Sequence, residues 1–263
     1  MTLTLEHRLR YDMPASFGPS AIPELTTVAT AEALVLTAVT DRAQVEPLVP
    51  AHFTVPEEPT LTVAHMAYHG VDYLGGRSYK EVVVSVAAQF CGESEEIRAQ
   101  LALALWVDQP GAMIAGREFM GLPKLMGHIS DLDGNQLFSC REYEAPIIEG
   151  QAADLQPLSD ERLERLNARA GEVRTFGWKY IAAAGGGSDV DQPLLNVMRW
   201  TYDKAWSGSG AFRFIPAAFQ DAPLSCAVID RLAQLPLLSQ VRAFRGVGQA
   251  VIDRTATRKL TAA

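Results

Sequence analysis

The sequence predicts an α+β fold dominated by an antiparallel sheet that curls or closes on itself, and three observations carry that prediction. Short stretches rich in β-branched residues recur between glycine-bearing turns, an Asp-Gly dipeptide separates two extended runs, and only one long amphipathic helix is evident. The 263 residues, 48% hydrophobic and 21% charged, contain no repeat or compositional linker. We therefore expect residues 1–263 to form a single domain with a few surface helices.

Taken in order, residues 1–30 read as an irregular arm, because Pro14, the Gly18-Pro19 pair and Pro23 interrupt any helix. From Glu32 to Thr40 the β-branched content predicts a strand; Asp41 then caps a short helix through Val49, ended by Pro50. Leu61 to Tyr68, Glu81 to Phe90 and Leu101 to Val107 are further strands, with turns at Gly70, Gly75-Gly76 and Gly92. Gly127 to Leu132 and Gln136 to Glu144 flank Asp133-Gly134, which tolerates positive φ, so they read as a hairpin. Ser159 to Val173, with Leu163 and Leu166 among charged residues, is the amphipathic surface helix. After Gly185-Gly186-Gly187, Leu194 to Trp200 reads as helix-like, while Ala211 to Ile215 and Val241 to Asp253 read as strands.

The net charge of -8 and the scattered basic residues argue against nucleic acid and against an anionic membrane as partners, leaving small molecules. No apolar run approaches the roughly 20 residues that span a bilayer, and the N-terminus lacks the features of a signal peptide, so a cytoplasmic location is expected. Cys91, Cys140 and Cys226 are an odd number in unrelated contexts, which suits reduced thiols. No metal-ligand spacing is present. The glycine runs at 185–187 and 208–210 lack the P-loop and dinucleotide patterns, and no G-x-S-x-G elbow exists.

The segment Ala115 to Gly127, AGREFMGLPKLMG, carries the strongest chemical signal. It sets Lys124 among Phe119, Met120, Leu122, Leu125 and Met126, with Pro123 and two glycines fixing the backbone. A lysine amine removed from water is disfavoured as the ammonium, and the neutral amine attacks carbonyls to give a Schiff base. The iminium then draws electrons from an adjacent bond. Arg117-Glu118 lies six or seven residues before this lysine, where a guanidinium can orient a carboxylate that moves a proton. Tyr79 and Glu81 form a second polar pair at the head of an apolar strand. His65 and His69 share a strand face but stand about 13 Å apart, which suits packing or pocket roles rather than metal binding.

Gly116-Arg117-Glu118 followed by Gly121-x-Pro123-Lys124 resembles the acetoacetate decarboxylase superfamily. The likeness extends to Ala38-Val39-Thr40-Asp41 with Pro47 to Pro50, to Tyr79-x-Glu81, to Ala205 to Gly208 with Ala222-Pro223-Leu224, and to Val251-Ile252-Asp253. It implies a cone-like barrel around the lysine, homo-oligomeric assembly and no cofactor. By the same resemblance Lys124 is the nucleophile, Glu81 a pocket carboxylate, and Arg117 with Glu118 the support behind the lysine. Three departures bear on substrate choice. The decarboxylases carry a second lysine where this chain has Leu125, and an arginine and a glutamate where it has Thr30 or Ala31 and Ala64 or His65. The expected function is a Schiff-base lyase on a small keto acid, leaning to aldolase-dehydratase chemistry that joins pyruvate to an aldehyde. Decarboxylation of acetoacetate or a related β-keto acid is the alternative, and a non-catalytic carbonyl-binding protein the second.

Overall fold

The structure, a computed structural model, describes residues 4–93, 95–169 and 172–261. Its strands are β1 (Leu25–Val39), β2 (Thr60–Val71), β3 (Arg77–Cys91), β4 (Glu96–Val107), β5 (Lys124–Met126), β6 (His128–Ile129), β7 (Leu137–Glu142), β8 (Ala145–Pro157), β9 (Val173–Ala182), β10 (Ser188–Phe214) and β11 (Arg242–Lys259). The helices are α1 (Arg42–Val45), α2 (Pro110–Met120), α3 (Asp160–Arg169) and α4 (Cys226–Leu232). None of the described helices is long and apolar enough to cross a membrane.

All eleven strands belong to one sheet, and seven of them close a ring in the order β11-β1-β2-β3-β4-β9-β10, with β10 returning to β11. The ring is antiparallel except at one seam. There β4 runs parallel to β9 over only two residue pairs, Gln100 with Thr175 and Leu101 with Phe176. The short strand β5 pairs with β4 further along, again in parallel. Beyond the ring, β8, β7 and β6 continue from the far half of β10. The result is the expected antiparallel-dominated sheet curled on itself.

Side-chain alternation along the ring strands divides the interior into two layers. Leu61, Val63, Val84 and Trp106 face outward into a core closed by Phe138, Ile147, Ile148 and Ile229 of β7, β8 and α4. The opposite faces look into the ring, where Tyr68, Tyr79, Trp200 and Tyr202 form a second, smaller cluster. Because the side-chain period is two, a slip of one residue would exchange these layers.

Three expectations are corrected and one helix is added. Residues 25–30 are not part of the arm: Leu25 to Val28 pair with Ala250 to Asp253 of β11, a partner more than 200 residues away that no local pattern reveals. Leu194 to Trp200 is strand, within β10. A register shift between Leu195 and Val197, together with burial on both faces, breaks the alternation and mimics helical spacing. The helix expected over 159–173 covers Asp160–Arg169; residues 170 and 171 lie outside the described residues, and Val173 opens β9. Helix α2 was not anticipated, although Gln109 caps its first turn, Pro110 occupies the position before the first needed N–H, and Gly121 ends it at φ +61°.

Candidate active site

Lys124 reaches its position through a chain of backbone constraints. After α2 ends at the left-handed Gly121, a β-carbon there would lie 2.7 Å from Lys179 N, so only glycine fits. Trp178 N donates to Gly121 O, and Asn196 Nδ2 donates to Met120 O, clamping the turn to β9 and β10. Lys124 N donates to Leu122 O around Pro123, and Leu105 N donates to Pro123 O. These bonds deliver the lysine into the pairing of β5 with β4, beside Leu105. Arg117, exposed on α2, holds the same strand from outside by donating from Nη1 to Lys124 O at 2.9 Å.

The lysine side chain lies along the face of α2 left bare by Gly116. A β-carbon at Gly116 would come within 2.6 Å of both Lys124 Cδ and Cε. At the end of that groove Lys124 Nζ donates to Glu81 Oε2 at 2.8 Å, and the two residues are 5% and 6% exposed. The ammonium also stands 5.7 Å from the centre of the Tyr79 ring, close enough for a cation–π contact. Tyr68 donates from its hydroxyl to Glu81 Oε1 at 3.4 Å and packs against Tyr79 with ring centres 4.9 Å apart. Burial, with the Glu81 carboxylate close by, holds both phenols well above their usual pKa, so both stay protonated donors at neutral pH.

Glu81 forms part of the wall of a cavity of about 300 Å³ inside the ring. Its lining is drawn from all seven ring strands and from Met120 and Leu122 around the end of α2, and is mostly apolar. Trp200, Tyr202 and Phe244 make an aromatic side in which Trp200 and Tyr202 stack at 5.4 Å. Lys124 is not itself a lining residue; its amine sits behind the Glu81 carboxylate. Among the described residues no arginine, lysine or histidine lines the cavity. Among the described residues no group of three or more His, Cys, Asp or Glu side chains gathers at one point.

Of the six residues singled out in the sequence, Lys124, Glu81 and Tyr79 come together and Arg117 supports them from outside. Glu118 does not join them. It lies on the outward side of α2 at a surface groove with Arg10, Lys179 and Asp191, and Lys179 Nζ donates to its backbone oxygen at 2.5 Å. His65 is buried on the opposite face of β2 from the cavity, against Phe138 at 5.2 Å, with Nε2 donating to Ser130 O at 2.9 Å. Burial lowers its pKa, and its Nδ1 has no partner among the described residues. Tyr68 escaped the sequence reading, although the alternation Thr62, Ala64, Met66, Tyr68 places it on Glu81's face. Asn196 and Trp200 were missed because their strand read as helix.

A comparison with curated proteins returns no match. Among solved structures, the chain is similar to an acetoacetate decarboxylase at 16% identity and TM-score 0.74, covering 94% of this chain and 93% of that one. It is similar to the acetoacetate decarboxylase of Legionella pneumophila at 15% identity and TM-score 0.68, covering 99% and 98%. It also resembles the enduracididine biosynthesis enzyme MppR, solved in complex with pyruvate, at 15% identity and TM-score 0.65, covering 96% and 98%. The family model for acetoacetate decarboxylase (ADC) matches residues 12–255, and the chain belongs to that family.

Proposed function

We propose that the protein is a Schiff-base-forming lyase that acts on a small keto acid through Lys124. One observation carries the reading: a buried lysine amine, 2.8 Å from a carboxylate that forms the wall of a mostly apolar cavity. Glu81 takes a proton from the ammonium, the freed amine leaves Oε2 and its lone pair forms a bond to the substrate carbonyl carbon. The carbonyl oxygen takes one proton from the attacking nitrogen and a second back from Glu81 and departs as water, leaving an iminium. In the aldol route Glu81 then removes a proton from the neighbouring carbon, and the resulting enamine carbon attacks the aldehyde carbon. The aldehyde oxygen takes that proton from Glu81; Glu81 then removes a second proton from the same carbon and passes it to the new hydroxyl, which leaves as water, and hydrolysis returns the amine. Tyr68 and Tyr79 stay protonated and hold the pair in place. Arg117 positions the lysine backbone, and neither Glu118 nor His65 touches the reacting atoms.

Leu125 at the position of the decarboxylases' second lysine supports the aldolase-dehydratase route, as does the likeness to MppR. That enzyme has also been solved with the condensation product of pyruvate and imidazole 4-carboxaldehyde. A specific observation favours the alternative, decarboxylation: with no cationic side chain among the described residues of the cavity wall, a retained carboxylate has only the iminium for a partner. Loss of that carboxylate as carbon dioxide, its bonding pair passing into the iminium, relieves the mismatch. The two routes separate in one assay set. Acetoacetate is followed for carbon dioxide, and pyruvate with benzaldehyde for the absorbance of a conjugated product. The second signal alone supports the leading route and the first alone its alternative; neither signal, with no borohydride adduct from any keto acid, leaves only carbonyl binding.

A further inference from the structure

Away from the lysine, three polar side chains form a row across neighbouring strands. Gln100 of β4 is paired with Thr175 of β9, and Thr175 with Asn196 of β10. All three line the cavity. Asn196 spends its amide nitrogen on Met120 O, but its Oδ1 is buried and has no partner among the described residues. Ser85 Oγ donates to Gln100 Oε1 at 3.1 Å, which fixes that amide and leaves Gln100 Nε2 without a partner among the described residues. An unpaired buried amide oxygen is destabilising, so a fold tolerates it where a ligand supplies the missing donor.

The row offers a donor at Gln100, a hydroxyl at Thr175 and an acceptor at Asn196, with no charge of either sign among them. Its Gln100 end is remote from the amine: the four residues from Glu81 to Ser85, which bonds Gln100, alone span about 13 Å of strand. Between the two ends the walls are apolar and aromatic, from Val83, Ala102, Met198 and Trp200. We propose that Gln100, Thr175 and Asn196 form a distal subsite for an uncharged hydroxyl group, so that the physiological substrate is an elongated carbonyl compound with an apolar body and a hydroxyl-bearing far end. This deepens the lysine reading, which it uses only to say which end carries the carbonyl.

The test compares two ketones of equal length, 8-hydroxyoctan-2-one and nonan-2-one, which differ by a hydroxyl in place of a terminal methyl. Binding is read by calorimetry, which needs no covalent step, while borohydride trapping at Lys124 is read separately by mass. The affinity ratio of hydroxyketone to alkyl ketone is expected to fall roughly five- to tenfold in Gln100→Leu, and by a similar factor in the near-isosteric Thr175→Val, with pyruvate trapping unchanged. A ratio within twofold of wild type in both variants, or no binding of either ketone, would overturn the subsite. Ketone binding with the expected ratios but without any adduct would instead count against the Schiff base alone.

Discussion

On β2 and β3, Leu61, Val63, Val82, Val84 and Val86 point out of the ring into a core filled from β7, β8 and α4, whereas Thr62, Ala64, Met66, Tyr68, Glu81 and Ser85 point inward to an open cavity. The same two strands thus serve stability on one face and, in the proposed reading, chemistry on the other, separated only by the pleat. The outer face joins the larger hydrophobic core; the inner face keeps empty volume and a buried ion pair. It follows that substitutions on the two faces should be felt in different measurements.

The largest effect is expected from Leu61→Ala on the outer face. Leu61 is fully buried, and its truncation should cost about 2–5 kcal/mol of stability in urea unfolding, with the pyruvate concentration that half-saturates trapping unchanged in the folded protein. A loss of trapping without loss of stability would break the separation. Gly116→Ala probes the inner arrangement in the opposite sense. The added methyl must displace the lysine by more than a few tenths of an ångström, and a misplacement on the order of 1 Å slows a positioned reaction about a hundredfold. Adduct formation should slow by about that factor while the urea midpoint moves little; an unchanged rate would mean that the amine is not held where the geometry has it.

The smallest effect belongs to His65, on the outer face opposite the cavity. Burial lowers its pKa in the folded state, so below the usual value of about 6.5 the unfolded chain binds a proton that the folded chain refuses. Its contribution to stability is therefore complete above that pH and is lost as pH falls toward the lowered value. The melting temperature of wild type should drop between pH 7.5 and 5.5, and His65→Phe should drop less. Equal slopes would place the acid sensitivity elsewhere.

What the sequence makes legible follows the same division. Alternation on β2 to β4 is local, so those strands are readable, and Lys124 stands out because apolar neighbours, a proline and glycines surround it. Glu81 is readable as a polar residue heading an apolar strand, but its bond to Lys124 joins β3 to β5 across 43 residues and leaves no local trace. Glu118 shows the limit of adjacency. It neighbours Arg117 in sequence, yet α2 turns it about 100° further round the helix, toward a surface groove. Asn196 and Trp200 were hidden by the register shift in β10. The role of Gly116 appears only when a β-carbon is set against the lysine it would strike.

The central claim is that the amine held behind Glu81 forms a covalent bond to a keto acid. Its most direct test is reduction by borohydride in the presence of pyruvate, followed by peptide mass analysis and a Lys124→Met control. The expected result is a reduced pyruvyl adduct on the peptide carrying Lys124 and none on the control. An adduct confined to another lysine such as Lys80 or Lys179, or none with any keto acid, would contradict the account.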